Sequence, residues 1–561
     1  MKKQNKSYLS GLRSCVLAAT VTLLTACSAN QASSPDSDKV FMPTLNTFSA
    51  NRIRADITFL ADDMLLGRDT GSDGYRIAAN YVAAEYARLG MIPAGDGNSY
   101  FQEVPFQKAK LNHEKAKLSA MIDGAEINFT LGDDYLMGGS VGNPSGAAVG
   151  SVVFVGYGVH APDFGYDDFN GVDLTGKVAL VLSGAPASLQ TEIRAHYGSS
   201  STKAEVLKAH GAVGIITVNS LTNEKRVPYS RMKAYLDREQ FDWIRPVSDD
   251  EASGISATAF ISHDTAKKLF EGAAHSFDDV LVSAEDGNVT SFPLKARVSM
   301  VRESILSEPV YSPNVIGVIE GSDPILKNEY VVLSAHLDHI GISANAKGED
   351  KINNGALDNA AGVSVMMEVA RAYIHSGMKP KRSILFAAVT GEEKGLLGAE
   401  YFAHFPTVPK ANIVADVNLD MPVLLYDFSD VVAFGADRSS LGPITEKAVQ
   451  SIGLVLSPDP MPQEGVFTRS DHYRFVQQGI PSVFLVTGFN KGFDNKNGGE
   501  VFMDFLHKTY HSPADEVSLP IDYQAAAKFA YVNWLISNAI ANEAERPTWN
   551  KGDFFGDTFS K

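Results

Sequence analysis

The stretch "SILFAAVTGEEKG", Ser383 to Gly395, decides how the chain is read. Its first seven residues, all apolar or small, have the length and composition of a strand buried on both faces. They run directly into two adjacent carboxylates, Glu392 and Glu393. Like charges at the mouth of a core strand repel each other, so the pair has to serve a purpose. Working outward, "EYVVLSAH" (329–336), "NIVADVNLD" (412–420) and "GIPSVFLVTG" (479–488) repeat the apolar run and alternate with helical segments such as "AAGVSVMMEVARAYIHSG" (360–377). That alternation predicts an α/β fold with a mainly parallel sheet covered by helices, whose site lies at the carboxyl ends of the strands.

Several strand ends carry groups like those of the opening pair. "YVVLSAHLDHIG" puts His336 and Asp338 where an apolar run stops, and "NIVADVNLDMP" does the same with Asp420. Asp358, in "NNGALDNAAG", precedes a helix whose positions Val363, Met366, Met367 and Ala370 fit one buried face, so a helix cap accounts for it without any chemistry. Each residue alone has such an ordinary reading. Together they form a donor set suited to zinc, which takes His nitrogen and carboxylate oxygen and, in catalytic sites, keeps one position open. Two zincs roughly 3.5–4 Å apart need a bridging carboxylate and terminal ligands on each ion.

Taken in order, "HLD", "LDN", "GEE", "NLD" and "YHSPADE" resemble the co-catalytic di-zinc aminopeptidases, whose relatives include the glutamate carboxypeptidases and glutaminyl cyclases. The resemblance covers residues 50–110 and 311–540. It implies a three-layer α/β/α zinc-exopeptidase domain holding two Zn2+ ions. Asp358 is then the bridging carboxylate, with His336 and Asp420 on one zinc and Glu393 and His511 on the other. Glu392 is the general base for a water between the ions, so the two glutamates divide binding from proton transfer. The resemblance also makes Asp338 the carboxylate that orients His336, and Tyr510 a donor to the tetrahedral intermediate. It places His472, in "SDHYRFVQQGIPS" (470–482), near the site, and makes His339 a neighbour of the ligands. Leu357 and Pro422 depart from the family's commoner residues at their positions. Residues 467–475 and 490–505 are candidates for the specificity pocket.

The chain has 561 residues, 44% of them hydrophobic and 20% charged, enough for two or three globular domains. Lys2, Lys3, Lys6 and Arg13 precede the apolar run "VLAATVTLLTA" (16–26), which is shorter than the about 20 residues a membrane-spanning helix needs. The run ends in "LTAC", which resembles a bacterial lipobox acylated at Cys27. The expectation is export, lipid anchoring at Cys27 and, by the sorting rule applied to Ser28, an outer-membrane location facing the periplasm. Cys15 falls in the removed segment, so no disulfide is expected. Loss of residues 1–26 takes four cations and moves the net charge from −17 to −21, which argues against nucleic-acid binding.

The organisation read from composition is a signal peptide (1–26), a flexible tether (27–45), the first part of the catalytic domain (46–114), a β-rich insertion (115–300), the zinc-peptidase domain (301–545) and a tail (546–561). Within the insertion, "YDDFNGVDLTGKVALV" (166–181) resembles the protease-associated domain of several exopeptidases. Two motifs are decoys. "GGSVG" (138–142) satisfies the serine-hydrolase pattern, but the following "NPSG" cannot start the helix that pattern requires. "HEKAK", from His113, lacks the second histidine of a helical zinc motif. The function expected is removal of N-terminal residues from peptides; the alternatives are a carboxypeptidase of the glutamate carboxypeptidase type or a non-catalytic binding protein on the same fold.

Overall fold

The computed structural model describes residues 40–245, 255–343 and 348–560. The signal segment, both cysteines and the tether up to residue 39 lie outside the described residues. No helix among the described residues is long and apolar enough to cross a membrane.

The four apolar runs become the centre of one sheet. Strand Ser383–Val389 lies parallel to Tyr330–His336, that strand to Ile413–Leu419, and that one to Ser482–Thr487. Antiparallel strands extend the sheet, with Val310–Ile319 beside Ser383–Val389 and Asp430–Phe434 beside Ser482–Thr487. Side chains alternate between the faces, as the pleat requires. Ile384, Phe386 and Ala388 join Val331, Leu333 and Ala335 in one core, under helices Ala361–Ser376 and Tyr523–Asn542. Leu385, Ala387 and Val389 join Val332 in a second core, under helix Leu397–His404. Both faces are covered, which is why these strands read as continuous apolar runs. The chain has the α/β fold read from the sequence.

Helices Ala50–Leu60 and Asp73–Arg88 are held onto the sheet's helical layer by a buried cation. The Arg371 guanidinium, on helix Ala361–Ser376, donates to Asp56 at 2.6 Å, Glu85 at 2.6 Å and Glu368 at 3.3 Å. Between these two helices lies the tight segment Asp63–Arg68, in which Leu66, Gly67 and Arg68 all have left-handed backbone angles.

Residues 117–306 build a second sheet with its own apolar core around Phe154, Leu180, Ile216 and Phe277. Strands Ser145–Phe154, Val178–Leu182, Gly214–Val218 and Ala257–Ile261 are successive parallel neighbours. The long strand Phe292–Leu306 pairs with this sheet and, at its end, with Phe101–Leu111 of the first. Gly138–Gly142 lies in a loop leading into a strand, and His113 starts a turn, so neither decoy has the helix its chemistry needs.

Candidate metal centre

The strand ends converge at one point. His336 closes strand Tyr330–His336 and is fully buried; its Nε2 lies 2.9 Å from Asp420 Oδ1 and 3.2 Å from Asp358 Oδ1. Its Nδ1–H has the carbonyl oxygen of Asp338 as acceptor at 3.1 Å, and this fixes the tautomer that leaves Nε2 facing the carboxylates. The orienting role expected of the Asp338 carboxylate needs correcting. That carboxylate stands 4.0 Å from His336 Nδ1 and accepts instead from the backbone N–H groups of Glu392 and Glu393 and from the Thr70 hydroxyl. Asp338 thus holds the "GEE" turn with its side chain and the imidazole with its main chain.

Asp358 joins two groups of ligand-type atoms. His336, Asp358 and Asp420 bring theirs within 4.8 Å of one another, and so do His339, Asp358 and Glu393. His511 Nε2 lies 3.2 Å from Asp358 Oδ2 and 3.1 Å from Glu393 Oε2, while His339 Nδ1 lies 2.8 Å from Glu393 Oε1. Asp358 does not cap the helix: Ala361–Ser376 starts after Ala360, and that helix is buried almost all round. A carboxylate pointed away from its nearest helix end needs another partner. Asp358 Oδ2 and Glu393 Oε1 are buried oxygens without a well-directed donor, so both carboxylates have valence to spare for a cation. The donor set fits zinc.

The electrostatics carry the same signature. Burial alone would lower the His336 pKa, yet the charges of Asp420 and Glu392 and the hydrogen bonds to Asp358 and Asp420 raise it well above the usual range. His511 follows the same logic against Asp358 and Glu393 and is pushed up to about 10. The carboxylates crowded around each imidazole thus favour positive charge at this point. Glu392 is also raised: burial, then the charges of Asp420, Glu393 and Asp471, push it well above the carboxylate range despite His336. Among the described residues, nothing engages its carboxylate.

Residues 314–536 match the family model described as "Peptidase family M28". The chain is also similar to a "Probable zinc metalloprotease" of Pyrenophora teres f. teres, 39% identical over 116 residues that make up 20% of this chain and 23% of that protein. Its similarity to "Aminopeptidase Y" of Saccharomyces cerevisiae is 25% over 268 residues, 47% of this chain and 42% of that one. The chain therefore spans less than half the length of these curated relatives. Among solved structures, the aminopeptidase from Aneurinibacillus sp. strain AM-1 aligns at TM-score 0.46 and 18% identity, covering 90% of this chain and 95% of that one.

Beside these ligand-type residues lies a cavity of about 300 Å3 whose lining includes Asp358, Glu392, Asp420 and Tyr510. Met421, Phe434, Met461, Val466, Phe484, Val486, Phe502, Met503 and Leu506 give the wall its apolar part, and Glu464, Arg469, Ser470 and His507 add polar groups. Of the two stretches expected to line it, 467–475 supplies Arg469 and Ser470, and 490–505 supplies only Phe502 and Met503; Met461, Glu464 and Val466 come from a segment the sequence reading passed over. The Tyr510 ring stacks on His511 with centroids 3.8 Å apart. His472 is a core residue, packed between Phe467 and Phe484, and burial lowers its pKa to about 3.

Sequence reasoning missed two supporting groups. Ser470 donates to Asp420 Oδ2 at 2.6 Å, fixing the carboxylate whose other oxygen faces His336. Asp515 accepts the backbone N–H groups of Leu357 and Asp358 at 2.9 and 3.0 Å, holding the loop that presents Asp358. Asp515 lies inside the quoted "YHSPADE", so its signal was present but carried no geometry. Leu357, one of the two noted departures, is buried in the core and serves the site through its main chain.

Proposed function

We propose that the chain is a zinc-dependent exopeptidase that removes N-terminal residues from peptides. Two imidazole–carboxylate groups share Asp358, and beside them the unengaged carboxylate of Glu392 opens onto an apolar cavity; this arrangement carries the reading. His336, Asp420 and Asp358 would hold one zinc, and Asp358, Glu393 and His511 the other. His511 is assigned over His339 because His339 is fully buried against Glu393 whereas the His511 side chain is 36% exposed and can meet an entering ion. Bound there, zinc polarises the scissile carbonyl and makes the attacking water acidic enough to react near neutral pH.

The protein's own groups do the rest. Glu392 takes the proton as the water oxygen bonds to the carbonyl carbon, and returns it to the amide nitrogen as the C–N bond breaks, so the leaving amine departs neutral. Burial and the charges of Asp358, Glu393, Glu392 and Asp420 push the Tyr510 phenol far up, so it stays protonated and can donate to the oxygen on which charge develops. The cavity takes the side chain of the N-terminal residue, and its aromatic and aliphatic wall favours large apolar ones. The second sheet supports that wall from behind, since Gly465 of the 461–466 segment abuts Ala195 of helix Thr191–Gly198. We read this second sheet as a protease-associated insertion that limits substrate size; its deletion should speed cleavage of long peptides relative to short ones. Export and lipid anchoring at Cys27 belong to the same proposal, and loss of fatty-acid labelling in Cys27→Ala would support them.

Free-amine aminoacyl anilides and the same peptides blocked at the N-terminus test the reaction. Zinc-loaded protein should cleave only the free amines, and Glu392→Gln should lose on the order of 10²–10⁴ in kcat while keeping its zinc. Cleavage of N-blocked peptides at a free C-terminus would replace the proposal with a carboxypeptidase, and retention of zinc without hydrolysis of any peptide would leave a binding protein.

A further inference from the structure

Arg68 sits about 270 residues upstream of the "HLD" motif and before the second sheet, yet it is fully buried beneath the metal centre. Its guanidinium donates to four main-chain carbonyls. Leu60 ends the preceding helix; Leu337 follows His336, at 2.9 Å; Asn354 and Gly355 lead into Asp358, at 2.6 and 3.1 Å. Two residues on, Thr70 donates to the Asp338 carboxylate at 3.0 Å. The main chain joins in: Arg68 and Gly67 accept the N–H groups of His339 and Gly341 at 3.2 and 3.1 Å.

We infer that Arg68, supported by Thr70, is a positioning residue of the metal centre that locks the strand end bearing His336 to the loop bearing Asp358. The inference rests on the zinc reading above. Only arginine has the donors for this task, because its planar fork offers five N–H groups where lysine offers three from a single point. The guanidinium also places a permanent positive charge among Asp338, Asp358, Glu393 and Asp515. The backbone indicates the same constraint. Arg68 has φ +46° and Leu66 φ +49°, a left-handed conformation that residues other than glycine adopt only at a cost. Gly67 between them cannot carry a side chain, since a Cβ there would lie 2.4 Å from the Asn353 carbonyl. Such strain is kept where the surroundings dictate it.

Asp515 holds the same loop from the opposite side, through the N–H groups of Leu357 and Asp358. The loop that would bridge the two ions is therefore clamped between an arginine drawing on its carbonyls and a carboxylate drawing on its amides.

The test is calorimetric titration of zinc into the metal-free full chain, as wild type, Arg68→Lys and Thr70→Val, with anilide kinetics on the loaded proteins. Arg68→Lys keeps the charge and loses the four-carbonyl geometry; its zinc affinity and kcat should each fall about 10–100-fold, with KM changed by no more than about threefold. Thr70→Val, which leaves Arg68 in place, should weaken zinc binding in the same direction by a smaller factor, and it carries the test if the lysine variant does not fold. A purely structural role would lower the unfolding midpoint and leave the zinc isotherm of the folded protein unmoved. Folded variants with wild-type zinc affinity and kcat would therefore overturn the inference. A wild type that binds zinc without hydrolysing peptides would sink the exopeptidase reading while the titration still decides the role of Arg68; a wild type that binds no zinc would sink both.

Discussion

Ser470 shows how much of the centre depends on residues outside the ligand-type set. Its hydroxyl holds Asp420 at 2.6 Å and in turn accepts from Asn418 at 2.7 Å, so Asp420 enters the site already oriented. Ser470→Ala should cost about tenfold or more in zinc affinity or kcat/KM, read by titration and anilide hydrolysis, with little change in the unfolding midpoint. His336, Glu393 and Asp420 were legible in the sequence because each stands where an apolar run must stop, a local signal that needs no knowledge of the fold, whereas Asp358 and His511 came as ligands only through the family resemblance. Ser470, Asp515 and Arg68 were not legible as supports, because their partners lie 50, 157 and 269 positions away and no local pattern marks such a pairing. The Asp338 reading failed for a related reason. Spacing brought it next to His336, but only the folded "GEE" turn reveals which donors claim its carboxylate.

Among elements, the parallel strands could be read because helices cover both of their faces and leave long apolar runs. The start of helix Ala361–Ser376 could not be, because the approach through left-handed Gly355 turns Asp358 away from the helix end. Two elements yield predictions. Helices Ala50–Leu60 and Asp73–Arg88 depend on the buried Arg371, and Arg371→Leu would leave Asp56 buried without its cation, while Glu85 would keep Arg88. The expected loss is about 3–5 kcal/mol in urea unfolding, since breaking a buried ion pair strands the remaining charge. Helix Gly498–Lys508 presents Phe502, Met503 and Leu506 to the cavity. Met503→Trp should fill that space and shift preference toward small N-terminal residues. About 10–200-fold in relative kcat/KM is the scale a hydrophobic pocket gives for small changes in side-chain size, and a leucyl-to-alanyl anilide ratio left unchanged would remove Met503 from the pocket wall.

For the whole molecule, the second sheet carries its own pH response. Lys203 is buried, donates to the carbonyls of Tyr157 and Leu182, and has its pKa lowered by burial from 10.5 to about 7, with Asp168 opposing. Between those two values the unfolded chain binds more protons than the folded one, so stability rises with pH across that window, by at most about 1.4 kcal/mol per pH unit. Lys203→Met should remove this slope, and parallel wild-type and variant urea curves from pH 7 to pH 10.5 would show that Lys203 does not supply it. A last consequence concerns timing. Arg68 and Leu337 are 269 residues apart, with the whole second sheet threaded between them. A chain is made from its N-terminus, so Arg68 is made well before three of the four carbonyls it grips, those of Leu337, Asn354 and Gly355, and contacts of such long range close slowly. Under the function proposed above, a chain clipped just after Arg68 would keep every proposed ligand and Glu392 yet lose the clamp that sets them, and so should bind zinc poorly and stay silent.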